Sequence, residues 1–473
     1  MNDRNGNVPW RIERNGMNPI PVDEQTGRPS ELFWIWFGAN LGLLGLLYGA
    51  ILVNYHLNFI QTLLAAVLSA LSFLLVGVLS VSGRNSGLPM FAVSRRVFGR
   101  LGNLPLVFIS WVNLLGWESV TAITATLSLT ALLQTWFGFP SGILATSVSL
   151  LMFLLLTGSF GLLGHATLVI VQRLAAWVLG GFTAVIGVFL LAASNWSTVF
   201  QQPPSDWIGN FLPAVSILVA GTGISWVNVA ADYSRYQSRR YSRSALISAV
   251  TLGAGIPLVS LILIGFLVSV GHPKIASSAN PVLALGQRLP PWLMVPYLVT
   301  VVGGLAAETD LSLYSSGLNL LVLGVRVARY KTIFMDAIVM LGVTGYFLFG
   351  HASLLGALES FLTAMGLALA AWAGVFVVAP LYRHATANEQ ASKGKQAFLA
   401  GTPFFHWRSV ASWIVGVMTG MLFSNFGVYV GPLAKGPFYQ SGLGVCLAFL
   451  VSLISRWVFS LLQKRQALFD NDL

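Results

Sequence analysis

The feature that leaves this chain the fewest options is its succession of apolar runs, each about twenty residues or longer, parted by short segments that hold nearly all its charge. A run of about that length crosses the hydrocarbon of a bilayer as a helix. Only 9% of the 473 residues are charged while 56% are hydrophobic, and the mean hydropathy is +0.76. A soluble domain carries roughly a quarter charged residues. The expected fold class is therefore an all-α integral membrane protein.

Twelve spans are expected, near residues 33–54, 58–82, 104–134, 141–159, 166–193, 211–232, 244–270, 291–323, 332–350, 353–380, 410–430 and 439–462. The formal charge of +11 would raise the question of nucleic acid in a soluble chain. Here the basic residues sit at the ends of apolar runs with no long basic tract among aromatics, as orientation signals do, and nucleic acid is not an expected partner. Of 26 basic residues only Lys274, Arg288 and Lys435 fall in loops that would be external. The clusters Arg84/Arg95/Arg96/Arg100, Arg235/Arg239/Arg240/Arg243, Arg326/Arg329/Lys331 and Arg383/Lys393/Lys395/Arg408 mark the other face. Both termini are thus expected in the cytoplasm, with residues 1–32 and 464–473 as tails and 33–463 as one transmembrane domain. The N-terminal segment has no signal-peptide core. The arginine-rich loops suggest contact with anionic lipid. A lone Cys446 in the last run permits no disulfide or thiolate metal site within one chain and reads as a packing residue.

Two spans carry glycines where a helix would break. Gly221-Thr222-Gly223 lies near the middle of span 6, and "FGANLGLLG" in span 1 holds Gly38, Asn40, Gly42 and Gly45. Glycines at matching positions of two halves point to an inverted-repeat transporter with its site at the midplane. They also let membrane helices pack closely, so glycine alone leaves both readings standing. The polar neighbours favour the first. Carboxylates within spans are costly and functional by default, and Glu118 ("NLLGWESVTAI"), Glu308 and Asp310 ("GGLAAETDLSLYSSGL") and Glu359 stand out. Glu118 and Glu308 lie deepest, while Glu359 is near an external end. Asp232 and Asp336 sit near cytoplasmic ends, where an ion pair with a neighbouring arginine is expected. Tryptophans such as Trp34 and Trp36 mark the membrane interface. Trp117 and Trp226 differ, each lying in mid-span beside polar residues. They could grip a planar heteroaromatic ligand by stacking, or pack as ordinary aromatics.

Together "IERNGMNPIP", "GLPMFAVSRRVFGRLGN", "GWES", "SWVNVAADYSRY" and "DLSLYSSGL" make the chain resemble, over essentially its whole length, the nucleobase:cation symporters of the purine-cytosine permease branch. The resemblance implies the leucine-transporter architecture of two inverted five-helix repeats, about 33–193 and 211–380, with broken helices 1 and 6 around the substrate and two extra helices at about 410–462. It implies Trp117 stacking on one face of the base, Trp226 or backbone of span 6 on the other, and Ser225 as a binding serine. In span 8, where the family commonly places asparagines, this chain has Glu308, Thr309 and Gly304. An ionised Glu accepts hydrogen bonds only, which selects a ligand edge rich in N–H groups. Where sodium-coupled relatives have hydroxyls this chain has Val299, Val302 and Gly303, which favours proton over sodium coupling, with Glu308 or Glu118 carrying the proton.

The expected site is thus Trp117, Glu118, Ser225, Trp226, Glu308 and Thr309, with Asn40, Gly221 and Gly223 offering backbone groups. The expected function is import of a nucleobase, cytosine or a purine, across the plasma membrane by cation symport, without a cofactor. Hydantoin, allantoin, uracil or a vitamin-like ring is the alternative cargo. A membrane enzyme is disfavoured: there is no HExxH, no Gly-x-Ser-x-Gly, and no clustering among His56, His165, His272, His351, His384 and His406.

Overall fold

In the computed structural model, residues 8–471 are described, apart from 14, 43, 276–277, 279–280, 351–353, 380–401, 428 and 440. The side chain of Glu359 and the basic residues Arg383, Lys393 and Lys395 lie outside the described residues. Helices α1 (Pro29–Ala39) and α2 (Leu44–Leu52) are followed by α3 (Phe59–Leu71), α4 (Phe73–Ser86), α5 (Met90–Gly102), α6 (Leu104–Phe137), α7 (Ile143–Gly161), α8 (His165–Ala192) and the short α9 (Trp196–Gln201). Then come α10 (Leu212–Val219), α11 (Ala230–Ser234), α12 (Arg243–Val270), α13 (Pro281–Gly286), α14 (Pro291–Leu323), α15 (Arg329–Phe349), α16 (Leu354–Val378), α17 (Trp407–Leu422) and α18 (Leu443–Asn471).

Ten spans among the described residues are long and apolar enough to cross a membrane, two of them composite (α3 with α4, and Trp207–Ser234 with α10 and α11), and α1 with α2 forms an eleventh, bent by 59° at its break. The remaining expected span, 410–430, falls on α17, only 16 residues long. It stops at Leu422, short of the expected 430, because the chain turns there into a hairpin of β1 (Asn425–Phe426) and β2 (Tyr429–Val430). Span 1 starts earlier than expected, at Pro29, since proline fits the first turn, where no N–H partner is needed. Local signals set other ends: Asn58 and Gln61 form a capping box on α3, and Gly87 and Gly324, with φ of 67° and 107°, end α4 and α14.

The N-terminal segment folds onto the bundle. Glu13 accepts from Arg235 Nη2 at 2.6 Å and from Tyr236 Oη at 2.7 Å through Oε1, and from the His165 N–H at 3.1 Å through Oε2. Arg235 Nη1 donates to the Gly16 carbonyl at 2.6 Å and Nη2 to Tyr314 Oη at 2.8 Å. Gln25 Nε2 reaches the carbonyls of Arg84 (3.0 Å) and Arg235 (2.8 Å), and Gly27 bridges Gln237. One short segment thereby ties together the ends of α4, α8, α11 and α14. Burial opposes the charge on Glu13, yet Arg235 and Arg329, with the Tyr236 hydroxyl and the His165 N–H, hold its carboxyl down at about 2.

Trp36 corrects the interface reading. It is fully buried, with its ring 5.5 Å from Trp226, 5.6 Å from Tyr233 and 5.5 Å from Phe73, each edge to face. Trp34 lies instead in an apolar groove of about 510 Å³ with Trp177.

Candidate functional site

Four elements meet at the middle of the bundle: the break between α1 and α2, the break between α10 and α11, the middle of α6 and the middle of α14. Inside hydrocarbon an unwound backbone must find partners, and the span 6 break finds them in its neighbours. Thr222 leaves the helix at φ −113°, ψ −108°. Tyr48 Oη donates to the Gly221 carbonyl at 3.0 Å, and Ser72 Oγ accepts the Gly223 N–H at 3.0 Å. Ser69 Oγ lies 3.0 Å from Thr222 Oγ1, and Asn113 Nδ2 donates to the Ser225 carbonyl at 3.1 Å. Glycine is required because a Cβ on Gly221 would press on the Tyr48 ring and one on Gly223 on the backbone of Ser72. Ser225 Oγ closes the break by donating to the Ala220 carbonyl at 2.7 Å.

At the span 1 break, Asn40 Nδ2 donates to the Trp36 carbonyl at 2.9 Å and so caps the end of α1. Gly42 faces α14 across a short gap: a Cβ there would sit 3.0 Å from Glu308 Oε2, and one on Gly304 would lie 3.3 Å from the Leu41 carbonyl oxygen. The oxygens that α14 brings to this break are therefore those of the Glu308 carboxyl and, at 3.5 Å from the same Cβ position, the Gly304 carbonyl. Of the hydroxyl-replacing residues, Val299 is 45% exposed and faces outward, Val302 is buried, and Gly303 packs on Leu179.

The middle of α6 carries Trp117 and Glu118, both buried. Among the described residues the Trp117 indole N–H and both Glu118 carboxyl oxygens have no hydrogen-bond partner. Thr121, one turn on, joins α14 through Thr309 Oγ1 at 2.7 Å. Trp226 packs edge to face on Trp36. Asp310 lines a small cavity with Gln172 and Tyr314.

The two expected interfacial ion pairs are replaced by other contacts. Asp232 Oδ1 accepts the Met90 N–H at 2.7 Å, at the N-terminus of α5, and Asp336 Oδ1 accepts the Trp111 indole N–H at 2.8 Å. Arg235 is unavailable to Asp232 because Glu13 holds it. Sequence reasoning also missed Asn113, Tyr48, Ser69, Ser72 and Gln172. Asn113 had a signal, standing one helical turn before Trp117 and hence on the same face. Gln172, fully buried, donates to the Ala307 carbonyl at 2.6 Å and abuts Gly38, so α8 braces both α14 and α1.

Comparison with known proteins agrees with this architecture. Residues 19–443 match the family described as permease for cytosine/purines, uracil, thiamine, allantoin. The putative purine-cytosine permease YxlA of Bacillus subtilis (strain 168) is 25% identical over 437 residues, covering 90% of this chain and 91% of that one. The purine-cytosine permease FCY21 of Saccharomyces cerevisiae is 24% identical over 277 residues, 55% of this chain and 49% of that one. Among solved structures, Mhp1, a nucleobase-cation-symport-1 family transporter in a closed conformation with bromovinylhydantoin bound, superposes with a TM-score of 0.74 at 17% identity, covering 95% of this chain and 96% of that one. A Na+-coupled sialic acid symporter superposes at 0.52 with 12% identity, covering 91% and 97%. The leucine-transporter-type fold follows, and with the family match over most of its length the chain belongs to the permeases for cytosine/purines, uracil, thiamine and allantoin, multi-pass membrane transporters rather than enzymes.

Proposed function

We propose that this chain imports a nucleobase, cytosine or a purine, across the cell membrane by symport with a proton, with both termini in the cytoplasm. The observation that carries the reading is the Trp117–Glu118 pair, an indole ring and a carboxyl buried in mid-span whose N–H and oxygens find no partner among the described residues. Buried polar groups demand hydrogen bonds, and a flat base with N–H groups on its edge supplies a stacking face for the Trp117 ring and donors for the Glu118 oxygens.

In this reading the base lies on Trp117 and is read by Glu118, Ser225, Glu308 and Thr309, with Trp226 closing the far side. Gly221, Gly223 and Asn40 contribute backbone groups at the two breaks, which the base shares with Tyr48 and Ser72. Glu308 is the proton carrier. It stands beside Gly42 of the span 1 break, and a protonated carboxyl crosses low dielectric without the cost of a charge. Glu118 is the second carboxyl able to take the proton.

The test is uptake of labelled cytosine by cells lacking their own permease, with and without sodium, across external pH, and with unlabelled purines and pyrimidines as competitors. Uptake that rises in acid, ignores sodium and is blocked by a subset of bases supports the proposal. Absence of uptake from protein shown to be in the membrane removes the substrate assignment and turns the same assay to hydantoins, allantoin, uracil and thiamine.

A further inference from the structure

A second cluster lies at the start of α17, outside the transport site. Arg456 of α18 is only 3% exposed, and its Nε and Nη1 have no hydrogen-bond partner. A buried guanidinium ordinarily has a carboxylate or carbonyls for its donors, and among the described residues Arg456 has neither. Its charged neighbour is another arginine, Arg408. The Arg408 guanidinium lies 5.3 Å from the centre of the Trp407 ring, which in turn packs edge to face on Phe459 at 5.4 Å. His406, the N-cap of α17, sits beside both arginines, and burial together with their charges holds its imidazole below its usual range, so it adds no further positive charge near neutrality. The Trp407 and Arg408 N–H groups of α17 have no partner within the helix, while those of Ser409 and Val410 go to the His406 carbonyl, and its dipole presents partial positive charge at the same end. Two guanidinium groups and a helix N-terminus lie together here, and among the described residues no acid forms an ion pair with either guanidinium.

We propose that Arg456, Arg408 and the N-terminus of α17 bind the phosphate of a phospholipid headgroup. The chemistry is that of a phosphate: bidentate guanidinium donors and free backbone N–H groups. The surroundings select a lipid as its source. Phe404, Trp407 and Trp457 are 66%, 55% and 51% exposed around the site, which is the aromatic belt of a membrane interface. The site also adjoins α5, since the His406 N–H donates to the Phe98 carbonyl at 3.1 Å, so a bound lipid braces α17 and α18 against the rest of the bundle.

The test uses the full chain in detergent, analysed by native mass spectrometry after addition of phosphatidylglycerol, of diacylglycerol, which lacks the phosphate, or of inorganic phosphate. The wild type is expected to retain phosphatidylglycerol about tenfold better than Arg456→Gln, the change expected for one charged hydrogen bond, and to show no such preference for diacylglycerol. Arg408→Gln, at a half-buried position on the first turn of α17, serves as the second variant should the change at Arg456 impair folding. Equal retention by the wild type and both variants overturns the site. Inorganic phosphate competing as well as the lipid does overturns the headgroup as the occupant.

Discussion

The Glu13–Arg235 pair carries the most quantitative prediction. The two side chains are 3% and 0% exposed and 2.6 Å apart, so solvent screening does not discount their interaction. The Glu13 carboxyl is held at about 2 against 4.5 for the free group, and at about 1.4 kcal/mol per pH unit that difference is worth about 3 kcal/mol. Removing one partner of a buried pair costs about 3–5 kcal/mol by a separate argument, because the other charge is stranded. Glu13→Ala is therefore expected to release the N-terminal segment by about 3 kcal/mol. Limited trypsin cleavage after Arg11 and Arg14 reads this local opening without requiring the whole membrane domain to unfold, and the rate should rise by up to about 100-fold. The double variant Glu13→Ala/Arg235→Met should recover part of the loss, since no buried charge is left alone. Cleavage of Glu13→Ala at the wild-type rate, or a double variant as sensitive as the two singles combined, refutes the reasoning.

The same pair sets a pH dependence. Glu13 has a depressed folded-state value, so its contribution is complete above 4.5 and is lost as the pH falls from there toward 2; cleavage in this window, followed with an acid protease, should accelerate in the wild type and stay flat in Glu13→Ala. Trp117→Ala should weaken base binding by about 10–100-fold, the worth of one stacked ring, while Trp117→Phe keeps most of it; isothermal titration with the transported base checks this, and unchanged affinity removes Trp117 from the site. Gly223→Ala places a methyl within 2.7 Å of the Ser72 carbonyl oxygen, so backbone must move; the expected result is loss of monodisperse protein on gel filtration, and a well-behaved, fully active variant contradicts the packing argument.

The spans were legible because a membrane leaves a single simple signal, length and apolarity, and the two breaks because glycine is needed where Tyr48 and Ser72 approach the backbone. What was not legible depends on long-range partners. Residues 8–28 have the composition of a solvated tail, and nothing local shows that Glu13 meets a guanidinium 222 positions away. That one contact also explains the misreading of Asp232, which loses the nearby arginine and turns to the amide at the start of α5. Trp36 was misread for a related reason: tryptophan beside the start of a span fits the interface equally well, and only the rings of Phe73, Trp226 and Tyr233 closing around it decide for the core. Ser69 and Ser72 carry no signal at all, since hydroxyls in membrane helices usually bond within their own turn.

The breaks of spans 1 and 6 are joined by a short physical line that gives the proposed proton coupling a structural route. Glu308 lies at the span 1 break beside Gly42, its charge bears on Tyr48 of α2, and Tyr48 Oη holds the Gly221 carbonyl of the span 6 break at 3.0 Å. A change of charge at Glu308 is therefore felt at a hydroxyl that holds the unwound backbone of span 6. Tyr48→Phe removes that hydroxyl and leaves a buried carbonyl unpaired, at a cost of about 1–3 kcal/mol. Spatial succession is not coupling, and a double-variant comparison supplies the missing evidence. Glu308→Gln is expected to flatten the dependence of uptake on external pH. If the line carries the coupling, Tyr48→Phe should flatten it too, and the double variant should be no flatter than Glu308→Gln alone. A Tyr48→Phe protein with the wild-type pH profile, or effects that simply add, breaks the line at Tyr48; a Glu308→Gln protein with the wild-type profile removes Glu308 as the proton carrier and leaves Glu118 as the carboxyl to test.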